Sequence, residues 1–166
     1  MEFAKKKVLI VGTKRSGIAA LGLLAEHGAD TILYDGNEKL TQEEVRREIP
    51  AGIETKICIG TLPDEEMNKL DLAVISPGVP IDSPLVLALE QSGIPIWGEV
   101  ELAYAFEQGK VLAITGTNGK TTTTALLGQI MQDATGKAFT VGNIGIPYTQ
   151  MVSQTQPDSV TVAEIS

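Results

Sequence analysis

Apolar residues recur along the chain in short runs separated by stretches with a helical period. The runs at 8–11 and 31–34 are strand-like, and between them Ile18, Leu21 and Leu24 share one helical stripe that stops at Gly28. That cadence predicts a parallel sheet with helices on its faces. A second helix is announced by Thr41-Gln42-Glu43-Glu44, a capping box in which hydroxyl and carboxylate satisfy backbone donors reciprocally. Val45 and Ile49 lie four apart on its buried face, and Pro50 ends it. Further strands are predicted at 54–59, 72–75 and 94–97, with a helix that takes Ser83 as cap and Pro84 at its first position and stops at Gly93. After Gly98 the pattern starts afresh: a helix over 99–106, a break at Gly109, an apolar strand at 111–114, a glycine-rich turn into another helix, and an alternating strand at 159–163. The restart divides the chain into 1–98 and 99–166.

Composition narrows the function. The 166 residues are 43% hydrophobic and 20% charged, as in an ordinary folded protein, and that length buries a core without disulfides, which a single cysteine, Cys58, could not supply. The formal net charge is −8, and the densest basic stretch is Lys5-Lys6-Lys7, which argues against nucleic acid or an anionic membrane surface as partner. No window holds the roughly 18 apolar residues that span a bilayer, and no signal-peptide pattern opens the chain, so a cytoplasmic location is expected. With one His and one Cys, a zinc or iron–sulfur site of the usual kind is excluded and any metal must be held by oxygen. The chain stops directly after a strand-like run, which reads as a fragment.

Three loops carry candidate chemistry. Residues 111–121 read as a buried strand, then Thr115-Gly116-Thr117-Asn118-Gly119, then a helix start at Lys120-Thr121. Such a loop aims backbone N–H groups and a helix dipole at phosphate oxygens, sets a lysine by the β- and γ-phosphates, and offers a hydroxyl to Mg²⁺. Its spacing departs from the general G-x-x-x-x-G-K-[ST] pattern, because position 114 is Ile. The competing reading is a glycine-rich turn with a surface lysine. Gly12-Thr13-Lys14-Arg15-Ser16-Gly17 stands where a dinucleotide fold has G-x-G-x-x-G, with Lys14 replacing the middle glycine; Asp35 follows Gly17 by eighteen residues, where it can accept from a ribose or a base. Together they suggest a nucleotide that is not a dinucleotide, against the alternative of a plain strand-to-helix turn. Ser76-Pro77-Gly78-Val79-Pro80 follows the fourth strand, at the same sheet edge or as a simple rigid loop.

These motifs, with Gly142-Asn143-Ile144-Gly145 and the terminal Glu164-Ile165-Ser166, resemble the Mur ligase family over the whole 166 residues. Gly-Thr-Asn-Gly-Lys-Thr is that family's own variant of the phosphate loop. The resemblance implies a Rossmann-like parallel-sheet domain over 1–98 that binds a UDP-linked substrate, followed by the start of a P-loop ATPase α/β domain over 99–166. Gly116, Thr117, Asn118, Gly119, Lys120, Thr121 and Thr122 would bind ATP, with Lys120 as the catalytic group. Thr121 and Glu164 would hold Mg²⁺. Arg15, Ser16, Asp35, Gly36, Asn37, Ser76, Pro77 and Gly78 would line the uridine and diphosphate, and Asn143 would meet the muramoyl end. The implied reaction adds D-glutamate to UDP-N-acetylmuramoyl-L-alanine through an acyl phosphate. The D-glutamate site and further metal ligands would lie beyond Ser166, so the chain is expected to bind without ligating, as a monomer.

Another Mur-type amino-acid ligase or a folylpolyglutamate synthase relative would share the ATP loop; a nucleotide-binding module without chemistry and an NAD-dependent oxidoreductase are the rivals from other classes. His27, Cys58 and Trp97 are read as a helix-end residue, a core residue and a packing residue, and Asp64-Glu65-Glu66 as a solvated helix start.

Overall fold

A computed structural model describes residues 2–142 and 145–165. The chain forms two compact units, Met1–Glu99 and Val100–Ser166.

The first unit alternates strand and helix throughout: β1 (Lys7–Val11), α1 (Arg15–Glu26), β2 (Asp30–Asp35), α2 (Gln42–Glu48), β3 (Lys56–Ile59), α3 (Asp64–Met67), β4 (Leu72–Ile75), α4 (Pro84–Gln91) and β5 (Ile96–Gly98). The five strands lie in the order β3-β2-β1-β4-β5, and every pairing is parallel. Central strand β1 is apolar because helices cover both its faces: Val8, Leu9 and Ile10 are fully buried. Leu9 and Val11 pack with Ile32, Tyr34, Cys58 and Leu89 in one core layer. Burial of each such aliphatic side chain contributes about 1.5–3 kcal/mol.

The capping box of α2 forms as expected. The Glu44 N–H donates to the Thr41 hydroxyl at 3.2 Å, and the Thr41 N–H donates to the Glu44 carboxylate at 2.8 Å. Helix α1 begins at Arg15, three residues before its apolar stripe. Ser83 occupies the N-cap of α4 but its side chain makes no capping bond; Pro84 presets the first helical φ and removes one of the donors that a cap would serve. Strand β5 starts at Ile96 rather than 94, since Pro95 offers the ladder only its carbonyl, which accepts from Ala73 N–H at 2.9 Å. Trp97 packs edge-on against Phe3, with ring centroids 6.2 Å apart.

The second unit continues from α5 (Glu99–Tyr104) through β6 (Lys110–Ile114), α6 (Lys120–Thr135), β7 (Ala138–Gly142), α7 (Tyr148–Met151), a 3-10 turn (Val152–Gln154) and β8 (Val160–Glu164). Its parallel sheet runs β6-β8-β7, so the last strand is the central one, and β8 is buried along its length. Tyr148, 1% exposed, donates to Glu107 at 2.6 Å, and the Thr161 hydroxyl donates to the same carboxylate oxygen at 2.9 Å. Burial first, and then the Glu107 carboxylate, push the Tyr148 phenol well above its ordinary range. Among the described residues no helix is long and apolar enough to cross a membrane.

At the edge of the first sheet where β1 and β3 begin, Glu66 of α3 meets Lys7 at 2.6 Å and Lys56 at 2.8 Å. Hydrogen bonds from these two lysines lower the Glu66 carboxyl from 4.5 to about 2. A carboxyl lowered on folding stabilises the folded state fully above its unfolded value and loses that contribution as pH falls toward the folded one. Glu66→Gln is therefore expected to lower the melting temperature near neutrality, where that contribution is full, and to flatten the acid limb between pH 4.5 and about 2, where the two proteins converge. Superimposable acid limbs for the two proteins would place the pH dependence elsewhere.

Candidate functional site

In the first unit the chain reverses direction across the sheet at the β1/β4 boundary, the place where open parallel sheets form a crevice at their carboxyl ends. The loops after β1, β2 and β4 surround a cavity of about 650 Å³. Ser16, Asp35, Gly36, Asn37, Ser76, Pro77 and Gly78 all line it. Arg15 does not; it is exposed at the start of α1, and Lys14, with Thr13, lines the cavity on that side. One residue of offset in a tight turn decides which cation lines the cavity.

The loops meet because glycine lets them. Gly12 has φ +108°, and a Cβ there would lie 2.7 Å from the Ser76 hydroxyl; a Cβ on Gly17 would lie 1.9 Å from the Gly12 carbonyl oxygen. The first and third glycines of the dinucleotide pattern therefore keep their roles of tight turn and close helix packing, while Lys14 fills the place of the middle one. Helix α1 has no side-chain cap, which leaves backbone donors of its first turn for an anion.

Asp35 ends β2 in a lattice of local bonds. Its Oδ2 accepts from the Thr13 hydroxyl at 2.6 Å and the Thr13 N–H at 3.2 Å, and its Oδ1 accepts from the Asn37 N–H at 3.0 Å. Tyr34, which also lines the cavity, donates to the Gly60 carbonyl at 2.6 Å; burial and then the nearby Asp35 charge raise its phenol. Thr13 and Gly60 come from 22 and 26 residues away, so no local pattern announced these two contacts.

In the second unit β6 ends at Ile114 and α6 begins at Lys120, with Gly116 at φ +145° and Gly119 in the left-handed region as an N-cap without a side-chain bond. Thr115, Gly116, Thr117, Asn118 and Gly119 are exposed, as are Thr121 and Thr122 on the first turn of α6. The Lys120 ammonium folds back over this loop and donates to the Gly116 carbonyl at 2.6 Å. In β8, Glu164 pairs in register with Ile114, the last strand residue before the loop. Glu164 is 5% exposed, and its Oε2 is buried without a hydrogen-bond partner. An orphaned carboxylate oxygen is costly to bury, so a cation or donor arriving here relieves a standing penalty. Carboxylate and hydroxyl oxygens, such as those Glu164 and Thr121 carry, are donors that suit a hard divalent cation such as Mg²⁺. Gly142 is required beside it, because a Cβ there would lie 2.2 Å from the Glu164 carbonyl oxygen. Asn143 lies outside the described residues.

Residues 6–98 match the family model of the Mur ligase MurD-like N-terminal domain, and residues 114–166 match that of the Mur ligase middle domain. The chain belongs to the Mur ligase family. It is 55% identical over 166 residues to the UDP-N-acetylmuramoylalanine--D-glutamate ligase of Lachnospira eligens, covering 100% of this chain and 37% of that protein. The enzyme of the same name from Lachnoclostridium phytofermentans is 54% identical with the same coverage. That of Pelotomaculum thermopropionicum is 43% identical over 99% of this chain and 36% of its own. The chain thus spans little more than a third of the length of these relatives. Among solved structures, the pseudomurein peptide ligase type C from Methanothermus fervidus aligns with a TM-score of 0.52 at 21% identity, covering 97% of this chain and 33% of that one, a likeness of fold.

Within this Mur ligase chain the tightest steric constraint on the first cavity is Gly17. Gly17→Ala drives a methyl into the Gly12 carbonyl and is expected to destabilise the chain by about 1–3 kcal/mol, as overpacking does. Chemical denaturation checks this, and an unchanged midpoint would show that the turn opens freely.

Proposed function

We propose that the first unit binds the UDP part of UDP-N-acetylmuramoyl-L-alanine and the second binds ATP, both serving a cytoplasmic ligase that joins D-glutamate to the muramoyl peptide. The observation that carries this reading is the pairing of the Lys120 loop with the unmatched Glu164 carboxylate one strand away. The names of the relatives supply the amino acid and the muramoyl precursor. On this reading the chain binds without ligating, because the matched relatives carry most of their length outside it.

In the first unit the α1 N-terminus, Ser16, Lys14 and the Ser76-Pro77-Gly78 turn face the diphosphate, while Asp35, Gly36 and Asn37 face the uridine. In the second, Gly116, Thr117, Asn118, Gly119, Thr121 and Thr122 cradle the phosphates of ATP through backbone N–H groups and hydroxyls. The substrate carboxylate attacks the γ-phosphorus, the bond to the ADP oxygen breaks, and an acyl phosphate forms; the amine of D-glutamate then displaces phosphate to give the amide. Lys120 gives up the Gly116 carbonyl for the phosphate oxygens and stabilises the charge that develops on them. Thr121 and Glu164 would hold Mg²⁺, which when bound screens the charge of the phosphate oxygens. Asn143 would contact the muramoyl end.

Calorimetric titration of the chain tests both halves. UDP-N-acetylmuramoyl-L-alanine is expected to bind, and UDP-N-acetylglucosamine and NADH are not expected to compete. Lys120→Ala should lower MgATP affinity at least about tenfold, as loss of a charge-assisted contact does, and leave the UDP compound unaffected. Tight NADH binding would overturn the assignment of the first unit, and loss of UDP-compound binding in the lysine variant would overturn the division of labour.

A further inference from the structure

Asp35 reads at first as a free acceptor at the end of β2, yet three donors of its own chain hold it: the Thr13 hydroxyl and N–H on Oδ2, and the Asn37 N–H on Oδ1. A carboxylate offers about four acceptor positions, so roughly one, on Oδ1, is left for a ligand. The Thr13 bond, at 2.6 Å, has the short length of a hydroxyl donating to a charged oxygen. Thr13 is only 9% exposed, so water competes weakly for it.

The surroundings of this clamp distinguish a ligand role from a purely structural one. Thr13, Asp35 and Asn37 line the cavity of about 650 Å³ and also a second one of about 510 Å³ on the side of α2, bounded by Leu40 and Val45. They form the wall the two cavities share. The plane of the carboxylate in this shared wall is held by those three bonds, of which the Thr13 hydroxyl makes the shortest and the one donated by a side chain.

We propose that Thr13 is a positioning residue: by fixing the plane of the Asp35 carboxylate it presents one acceptor on Oδ1 to a donor of the nucleoside, and so sets affinity for the nucleoside end of the ligand. This rests on the reading of the cavity as a UDP-sugar site. The hydroxyl acts through Asp35 and need not touch the ligand. Loss of the hydroxyl leaves the Thr13 N–H at 3.2 Å as the anchor on Oδ2 and the Asn37 N–H on Oδ1, a looser hold on the carboxylate plane, and the ligand then bears the cost of ordering it.

The test is a double-mutant cycle on the 166-residue chain, read as the dissociation constant of UDP-N-acetylmuramoyl-L-alanine by calorimetry. Thr13→Val is expected to weaken binding about tenfold, as loss of a hydrogen bond to a charged group does, and Thr13→Ser to restore it. In an Asp35→Asn background Thr13→Val should have little further effect. Thr13→Ala provides a second hydroxyl-free variant if the valine crowds the turn. Equal affinity of wild type and both hydroxyl-free variants overturns the proposal, as does the same tenfold loss in the Asp35→Asn background, which would make Thr13 an independent contact. Absence of binding by folded wild-type chain overturns the UDP-sugar reading itself and the proposal with it, a result separable from wild type that binds and variants that bind equally.

Discussion

Parallel pairing of β1 with β2 on one side and β4 on the other is the constraint on which the first site depends. Three loops can meet at one point only if their strands end side by side, and the backbone bonds continue past the strand ends to ensure it. Gly12 N–H donates to the Tyr34 carbonyl at 2.7 Å, and Ser76 N–H donates to the Val11 carbonyl at 3.0 Å. Each loop therefore leaves the sheet already anchored to its neighbour. The apolar burial of Val8, Leu9 and Ile10 supplies the free energy that holds β1 there, and the polar groups of the crevice are arranged on a platform that core packing has made rigid.

The second unit uses the same device with the parts redistributed. Here the central strand, β8, carries Glu164, and an edge strand, β6, leads into the Lys120 loop. Register between Ile114 and Glu164 fixes the distance between loop and carboxylate through backbone bonds alone. Gly142 completes the arrangement on the far side, its missing side chain letting β7 run against the Glu164 backbone. The orphaned Oε2 is the kind of local cost that folded chains carry where a ligand is to be received.

What could be read in the sequence was what depends on neighbours along the chain. The Thr41–Glu44 box, the strand-loop-helix around Lys120 and the glycines at 12 and 17 are local patterns with local physics, and they form as read. Strand β7 escaped notice because Ala138-Phe139-Thr140-Val141-Gly142 is short and neither wholly apolar nor cleanly alternating; its identity comes from pairing with β8, which no window of sequence contains. The exchange of Lys14 for Arg15 as the cation lining the cavity follows from where α1 takes its first turn, a boundary that pattern leaves uncertain by a residue or two. The Thr13–Asp35 bond spans 22 residues between two adjacent parallel strands, so it exists only once β1 and β2 are paired.

Charge gives the last step. A chain with net charge −8 presents a field that repels anions, so on the proposed reading long-range steering is not what brings phosphates to its loops. At physiological ionic strength that field is screened over about 8 Å, and within such a distance the local groups decide. Each of these two glycine-containing loops combines one lysine, Lys14 or Lys120, with backbone N–H groups at a helix start that has no side-chain cap. Backbone donors at a helix start are fixed in direction, whereas a lysine ammonium can swing to any acceptor in reach, as Lys120 does to the Gly116 carbonyl. On the proposed reading, main-chain donors of fixed direction are what lets an anion bind in the first unit beside Asp35 and in the second beside Glu164.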